Sequence, residues 1–166
     1  MEAEMDQAVQ AGLRPRFLGG QAMLIAGMSE RITAETWDKI DRLWWRFAPH
    51  IGKVPTQIGA RVAYGVVTDV ADGIDYLAGV EVTDTKALPD GFSHVRLPAQ
   101  RYAVFAHEGH VSKLKDTMMA IWEWLPTSGH EHARTPGAPA FFERYGEEFD
   151  PQTGTGGIEV WVPIRS

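Results

Sequence analysis

Cysteine is absent from the 166 residues, so neither a disulfide framework nor thiol chemistry enters the account, and an intracellular setting is the simplest expectation. Long apolar runs are missing as well. Residues 1–12 carry acidic side chains, with no basic one before Arg14, which fits neither a signal peptide nor a membrane span. A cytoplasmic location without a membrane partner is therefore expected. Basic excess is lacking too: 16 lysines and arginines stand against 22 aspartates and glutamates, a formal charge of −6. General nucleic-acid binding needs the opposite balance. No direct nucleic-acid partner is expected, and cationic partners are mildly favoured.

Catalytic signatures are thin. The serines are Ser29, Ser93, Ser112, Ser128 and Ser166, none of them in a Gly-x-Ser-x-Gly elbow. No group of glycines forms a phosphate-binding loop ahead of a helix. Histidines cluster as His107-Glu-Gly-His110 and His130-Glu-His132, without the His-Glu-x-x-His spacing of zinc hydrolases. Neither a metal nor a cofactor is expected.

What is present is an ordinary globular composition, 44% hydrophobic and 23% charged, on a chain long enough for a real core. Residues 1–14 read as a flexible polar leader, and 15–166 as one domain. Its first half opens with an apolar, Gly-punctuated strand over 17–28, bent near Gly19-Gly20. Thr33 can cap a helix whose positive end is matched by Glu35 and Asp38. Trp37, Ile40, Trp44 and Phe47 then follow at helical spacing as a buried stripe, until Pro49 and Gly52 end it. Strands over 61–69 and 76–83 flank an Asp72-Gly73 turn. The pattern restarts with strands over 92–97 and 102–108 and a helix over 111–125. Its inward residues should be Val111, Leu114, Met118, Ile121, Trp122 and Leu125. A hairpin over 140–164 closes the chain.

The restart is a repeat. Trp45, Phe47 and Pro49 match Trp122, Trp124 and Pro126 at an offset of 77, and Gly79-Val-Glu-Val82 matches Gly157-Ile-Glu-Val160 at 78. Each half alone buries only one face of a small sheet beneath one helix. Two halves, 15–87 and 88–166, related by a pseudo-twofold predict an α+β fold: a duplicated β-α-β-β module, an antiparallel sheet with two helices, and a central ligand groove. Clefts at such junctions are common ligand sites.

Strand alternation supplies the candidate residues. Ile158, Val160, Val162 and Ile164 form an apolar face, leaving Glu159 and Trp161 on the other; Phe141, Glu143 and Tyr145 share a face. Carboxylates interleaved with aromatics are unusual for a surface and costly for a core. They suit a pocket for a cationic, largely apolar molecule, where each aromatic wall adds about 0.5–2 kcal/mol of cation–π attraction. Glu143 is the first candidate. Glu159 and its repeat equivalent Glu81 follow, with Tyr64, Trp161 and Trp45 as walls. Trp37, Trp44 and Trp122 are assigned to core packing, and Trp45 and Trp124 to groove-facing helix edges.

Four segments carry a resemblance: Tyr102-Ala-Val-Phe-Ala-His-Glu-Gly109, Ile121-Trp-Glu-Trp-Leu-Pro126, Phe142-Glu-Arg-Tyr145 and Ile158-Glu-Val-Trp-Val-Pro-Ile164. In order and spacing the chain resembles the GyrI-like small-molecule-binding family, the effector-binding domain also appended to AraC-type and MerR-type multidrug regulators. The resemblance implies a duplicated β-α-β-β fold with a groove. It also implies a buried glutamate in a Phe-Glu-x-Tyr motif, at the position of Glu143 with Tyr145 beside it, that attracts cationic aromatic drugs or metabolites. The leader before Arg14 is too short for a helix-turn-helix, so a stand-alone effector domain is expected, with a separate regulator or gyrase as protein partner and room for a homodimer. Members that hydrolyse electrophilic cyclopropanes, or that inhibit gyrase, supply the alternatives. In the hydrolase reading Glu143 or Glu159 is the general base, with Tyr145 or Tyr64 as proton donor. Binding is favoured over catalysis.

Overall fold

A computed structural model describes residue 13 and residues 15–165; the expected leader falls outside these apart from Leu13. The strands are β1 (Arg16–Gly20), β2 (Met23–Ile32), β3 (Ala63–Val70), β4 (Gly73–Glu81), β5 (Ser93–Leu97), β6 (Gln100–His107), β7 (Phe141–Tyr145) and β8 (Ile158–Ile164). Helix α1 (Lys39–Phe47) lies between β2 and β3, and α2 (Leu114–Trp124) between β6 and β7. Both halves thus run β-α-β-β after a short leading strand.

All eight strands join one antiparallel sheet in the order β1-β6-β8-β7-β3-β4-β2-β5. Exchanging the halves reverses this order onto itself, the signature of the pseudo-twofold. The edge strands are swapped: β1, from the first half, pairs with β6, and β5, from the second, pairs with β2. Connectivity then forces the sheet to curl. Laid flat, β1 and β2 would stand about 29 Å apart at the usual strand spacing. Only Gln21 and Ala22 join them, a reach of roughly 11 Å.

Curling gives the sheet two distinct faces. Both helices cover the outer one. Leu43 and Phe47 of α1 pack on Ala26, Ala78 and Val80; Ile121 and Trp124 of α2 pack on Phe105, Val160 and Val162. Inside the curl, Ile25, Val66, Leu77, Tyr102, Val104 and Phe142 fill the space. No helix among the described residues is long and apolar enough to cross a membrane.

Several local expectations are corrected. The apolar segment 17–28 is not one bent strand but two, β1 and β2, nearly the full width of the sheet apart. Helix α1 begins at Lys39 rather than beside Thr33, because the threonines close a turn on each other. Thr36 N–H donates to the Thr33 carbonyl at 3.1 Å, and Thr33 N–H donates to Thr36 Oγ1 at 2.8 Å. Trp37 therefore leaves the inward stripe and is 59% exposed. In the second half, a 3₁₀ turn at Val111–Lys113 precedes α2. Trp124 turns into the core at 4% exposure, and Trp122 out to 36%.

Candidate functional site

The halves meet where β3 pairs with β7, and there Gly65 lies directly opposite Glu143. Alternation along β7 sends Phe141, Glu143 and Tyr145 to the helix side of the sheet. Phe141 packs against the clusters beneath both helices, and Trp44 of α1 does the same. Glu143 thus sits at the seam, on the face of the sheet that the two helices cover.

Its carboxylate is held from one side. The Tyr76 hydroxyl donates to Glu143 Oε1 at 2.6 Å, and the Tyr145 hydroxyl donates to the same oxygen at 2.9 Å. Trp44 Nε1–H donates in turn to the Tyr76 oxygen at 3.0 Å, making a relay of indole, phenol and carboxylate whose members polarise one another. The Trp44 ring stands edge-on to Tyr145 and Tyr76, at 5.3 and 6.4 Å between centroids. Phe149 closes against Tyr145 at 5.1 Å.

Glu143 Oε2 accepts no hydrogen bond from a described residue, yet no described buried polar side-chain atom lacks a partner. Oε2 is therefore reached by solvent. Consistent with this, Glu143 is half-buried, although protein surrounds its carboxyl on all sides at longer range. The carboxyl is thus covered by protein except at Oε2. Burial raises the Glu143 pKa, while the hydrogen bonds from Tyr76 and Tyr145 oppose the rise by favouring the anion. Tyr76 and Tyr145 are pushed well above the ordinary phenol value, first by burial and then by the Glu143 charge, so both remain donors.

Gly65 makes room for the arrangement. A Cβ there would overlap the Tyr76 hydroxyl and lie 2.6 Å from Glu143 Oε1. The site can hold a positive charge against Oε2 between aromatic walls.

The remaining candidates lie elsewhere. Register places Val160, not Glu159, beside Glu143, and pairs Glu159 with Arg144. Glu159 and Trp161 therefore project from the opposite face. There Glu159 accepts from Arg16 at 2.6 Å and from Trp161 Nε1 at 3.1 Å, with Arg144 3.7 Å away. Trp161 stacks on Phe142 at 5.3 Å, and Tyr64 meets the same ring edge-on at 5.7 Å. Glu81, paired with Ile25 in the register, belongs to this face too. Burial raises the pKa of both Tyr64 and Glu81. Trp45 faces outward from α1 at 79% exposure. The single groove expected from the sequence is thus split by the sheet, with Glu143, Tyr145 and Phe141 on one side and Glu159, Trp161, Tyr64 and Glu81 on the other. Trp44, Tyr76 and Gly65 join the first group without having been singled out for it. Tyr76 carried the only available signal, a lone hydroxyl on the otherwise apolar face of Ala78, Val80 and Val82.

The histidines have structural partners. His107 is bonded through Nδ1 to Thr117 Oγ1 at 2.7 Å and through Nε2 to the His110 carbonyl at 2.8 Å. His132 Nε2 meets the Ala140 carbonyl at 2.7 Å. Among the described residues no group of three or more acidic or histidine side chains could hold a metal ion.

Comparison with known proteins agrees with this architecture. The transcriptional regulator BrlR of Pseudomonas aeruginosa is 29% identical over 154 residues, 92% of this chain and 56% of BrlR. The chain thus spans little more than half the length of that relative. Among solved structures, SAV2435 bound to tetraphenylphosphonium superposes with a TM-score of 0.71 at 18% identity, over 92% of this chain and 94% of the other. The integron cassette protein VCH_CASS2, from the mobile metagenome of Vibrio cholerae, gives 0.63 at 17% identity, over 92% and 97%. Residues 21–164 match the family described as Cass2, integron-associated effector binding protein, and the chain belongs to that family.

Proposed function

We propose that this effector-binding protein takes amphipathic organic cations, flat aromatic ones among them, into the helix-side cleft and so senses or sequesters drugs or metabolites. The ligand-binding domain on this reading is 15–166, built of halves 15–87 and 88–166. The observation that carries it is the half-clamped carboxylate: two phenols hold Glu143 Oε1, while Oε2 takes no hydrogen bond from a described residue. A carboxylate so placed has lost much of its hydration. An incoming cation restores that stabilisation without demanding a particular hydrogen-bond direction, and Trp44, Tyr145 and Phe141 offer ring faces and edges to its apolar body. Charge and flatness are then recognised more than outline, which gives breadth. The tetraphenylphosphonium held by SAV2435, a protein of the same fold, is a ligand of this chemistry.

Titration with tetraphenylphosphonium, followed by tryptophan fluorescence, tests the reading. A saturable change is expected, because Trp44 is part of the hydrogen-bonded relay. Triphenylphosphine oxide, similar in bulk but neutral, should bind far more weakly. Equal binding of the two, or none by the cation, would remove charge recognition from the account.

A further inference from the structure

The outer side of α1 is unlike the rest of the surface. Trp45 is 79% exposed and Trp37, in the turn just before the helix, 59%, the largest exposures of any big apolar side chain among the described residues. Leaving two indoles in water forgoes the stabilisation that burying a large apolar side chain brings, and exposed patches of this kind mark contact surfaces. Beside Trp45 lies a depression of about 440 Å³ lined also by Glu30, Lys39, Arg42 and Arg46. A projecting ring and a hollow thus lie close together along one segment.

Such a surface can complement itself. A twofold contact requires that one patch supply both members of every interaction. Charge along the segment is ordered in the same sense, with Glu35, Asp38 and Asp41 outnumbering Lys39 toward its start and Arg42 and Arg46 toward its end. Laid antiparallel on a second copy, Asp41 meets Arg42 and Trp37 meets Arg46, the latter a cation–π contact. Within one chain Arg42 already pairs with Asp38 at 2.6 Å and Arg46 with Glu30 at 2.8 Å. These pairs are largely exposed and contribute little, so exchanging them across an interface costs little. With Glu30, Asp38 and Asp41 set against Lys39, Arg42 and Arg46, the face carries no net charge to draw a polyanion or an anionic bilayer.

We propose that two copies of this chain associate through antiparallel α1 helices, each Trp37 seated in the hollow beside the other copy's Trp45. The contact is independent of Glu143, which α1 reaches only through Trp44 and Tyr76 on its inward side.

Sedimentation equilibrium of the ligand-free full chain over a wide concentration range tests this. The average mass should climb toward twice that of the chain. Trp37→Glu and Trp45→Glu should each hold it at the monomer value, with far-UV circular dichroism unchanged and, at dilutions where the parent is monomeric, the melting temperature unchanged too, since both side chains are exposed. Asp41→Arg and Arg42→Asp should each weaken association at least tenfold, and the two together should restore it. A chain that stays monomeric at the highest concentrations overturns the proposal, whatever else that face holds. So does a dimer indifferent to Trp45→Glu, or a charge swap that fails to rescue.

Discussion

Tyr76 and Glu143 come from opposite halves of the chain and meet with 2.6 Å between phenol and carboxylate oxygens. Their hydrogen bond crosses the seam beside the central β3–β7 pair, and Trp44 extends it into α1. A charge arriving at Glu143 therefore acts on a helix and on strands of both halves at once. Such a bond is also costly to break, because a buried phenol left without its acceptor loses about 1–3 kcal/mol. The seam is a bonded junction as well as a packed one.

Glu143→Gln removes the charge while keeping an oxygen for Tyr76 and Tyr145. Cation affinity should fall at least about tenfold, or 1.4 kcal/mol, since a desolvated carboxylate is the group the cation compensates. The fold should survive, and its stability at neutral pH should rise, since burial penalises the charge that the substitution removes. Calorimetric titration and a thermal melt of the same sample read both effects. Unchanged affinity would take Glu143 out of the mechanism.

The pH dependence has a definite sign. Burial raises the Glu143 pKa, and the opposing hydrogen bonds from Tyr76 and Tyr145 do not cancel the rise. Between the unfolded carboxylate value and the raised native one, the folded chain holds more protons than the unfolded chain. Stability contributed by this group therefore falls as pH rises through that window and stays low above it. Cation binding runs the other way, because the ligand prefers the ionised form. Affinity should increase with pH across the window and then level off, with a proton released on binding inside it. Titrations in two buffers of different ionisation enthalpy would show that release, and Glu143→Gln should abolish it.

Glu159→Gln is the control for the two faces. Its carboxylate pairs with Arg16 and Arg144 across the sheet from the cleft. Cation affinity should stay within about twofold of the parent, and the stability loss should not exceed about 1 kcal/mol, as for partly exposed ion pairs. If this variant weakened the cation as much as Glu143→Gln, the ligand would have to sit on the other face.

Much of this architecture is written in local pattern. The Gly-Val-Glu-Val and Gly-Ile-Glu-Val repeats fall on β4 and β8, which occupy equivalent places in the reversed strand order. Alternation along β7 suffices to set Glu143 and Tyr145 on one face, and they do touch. Alternation is silent, however, about register between strands, and a slip of one residue exchanges the faces. The connection over 146–157 sets Glu143 beside Val160, and nothing in the pattern of β8 announces it. Helical phase is legible only in part. The spacing of Ile40, Trp44 and Phe47 turns Trp44 inward and leaves Trp45 off that stripe, but it says nothing of the hydrogen bond that ties Trp44 to Tyr76. Tyr76 belongs to the other half, and a bond spanning that separation leaves no local trace.

Gly65 offers the sharpest test of how tightly the seam is built. A Cβ at this position would overlap the Tyr76 hydroxyl and stand 2.6 Å from Glu143 Oε1. Gly65→Ala should therefore push phenol and carboxylate apart at an overpacking cost of about 1–3 kcal/mol, each kcal/mol lowering the melting temperature by about 2–4 °C. The hydroxyl is the main obstacle, so the penalty should shrink in a Tyr76→Phe background, and the two substitutions should be clearly non-additive. Gly27→Ala behaves differently. Its Cβ would run into the Ala78 carbonyl and come within 2.6 Å of Gly79 Cα, backbone that Tyr76→Phe cannot relieve. That pair of substitutions should simply add. Additivity at Gly65 as well would mean that the crowding there comes from the strands and not from the Tyr76–Glu143 bond.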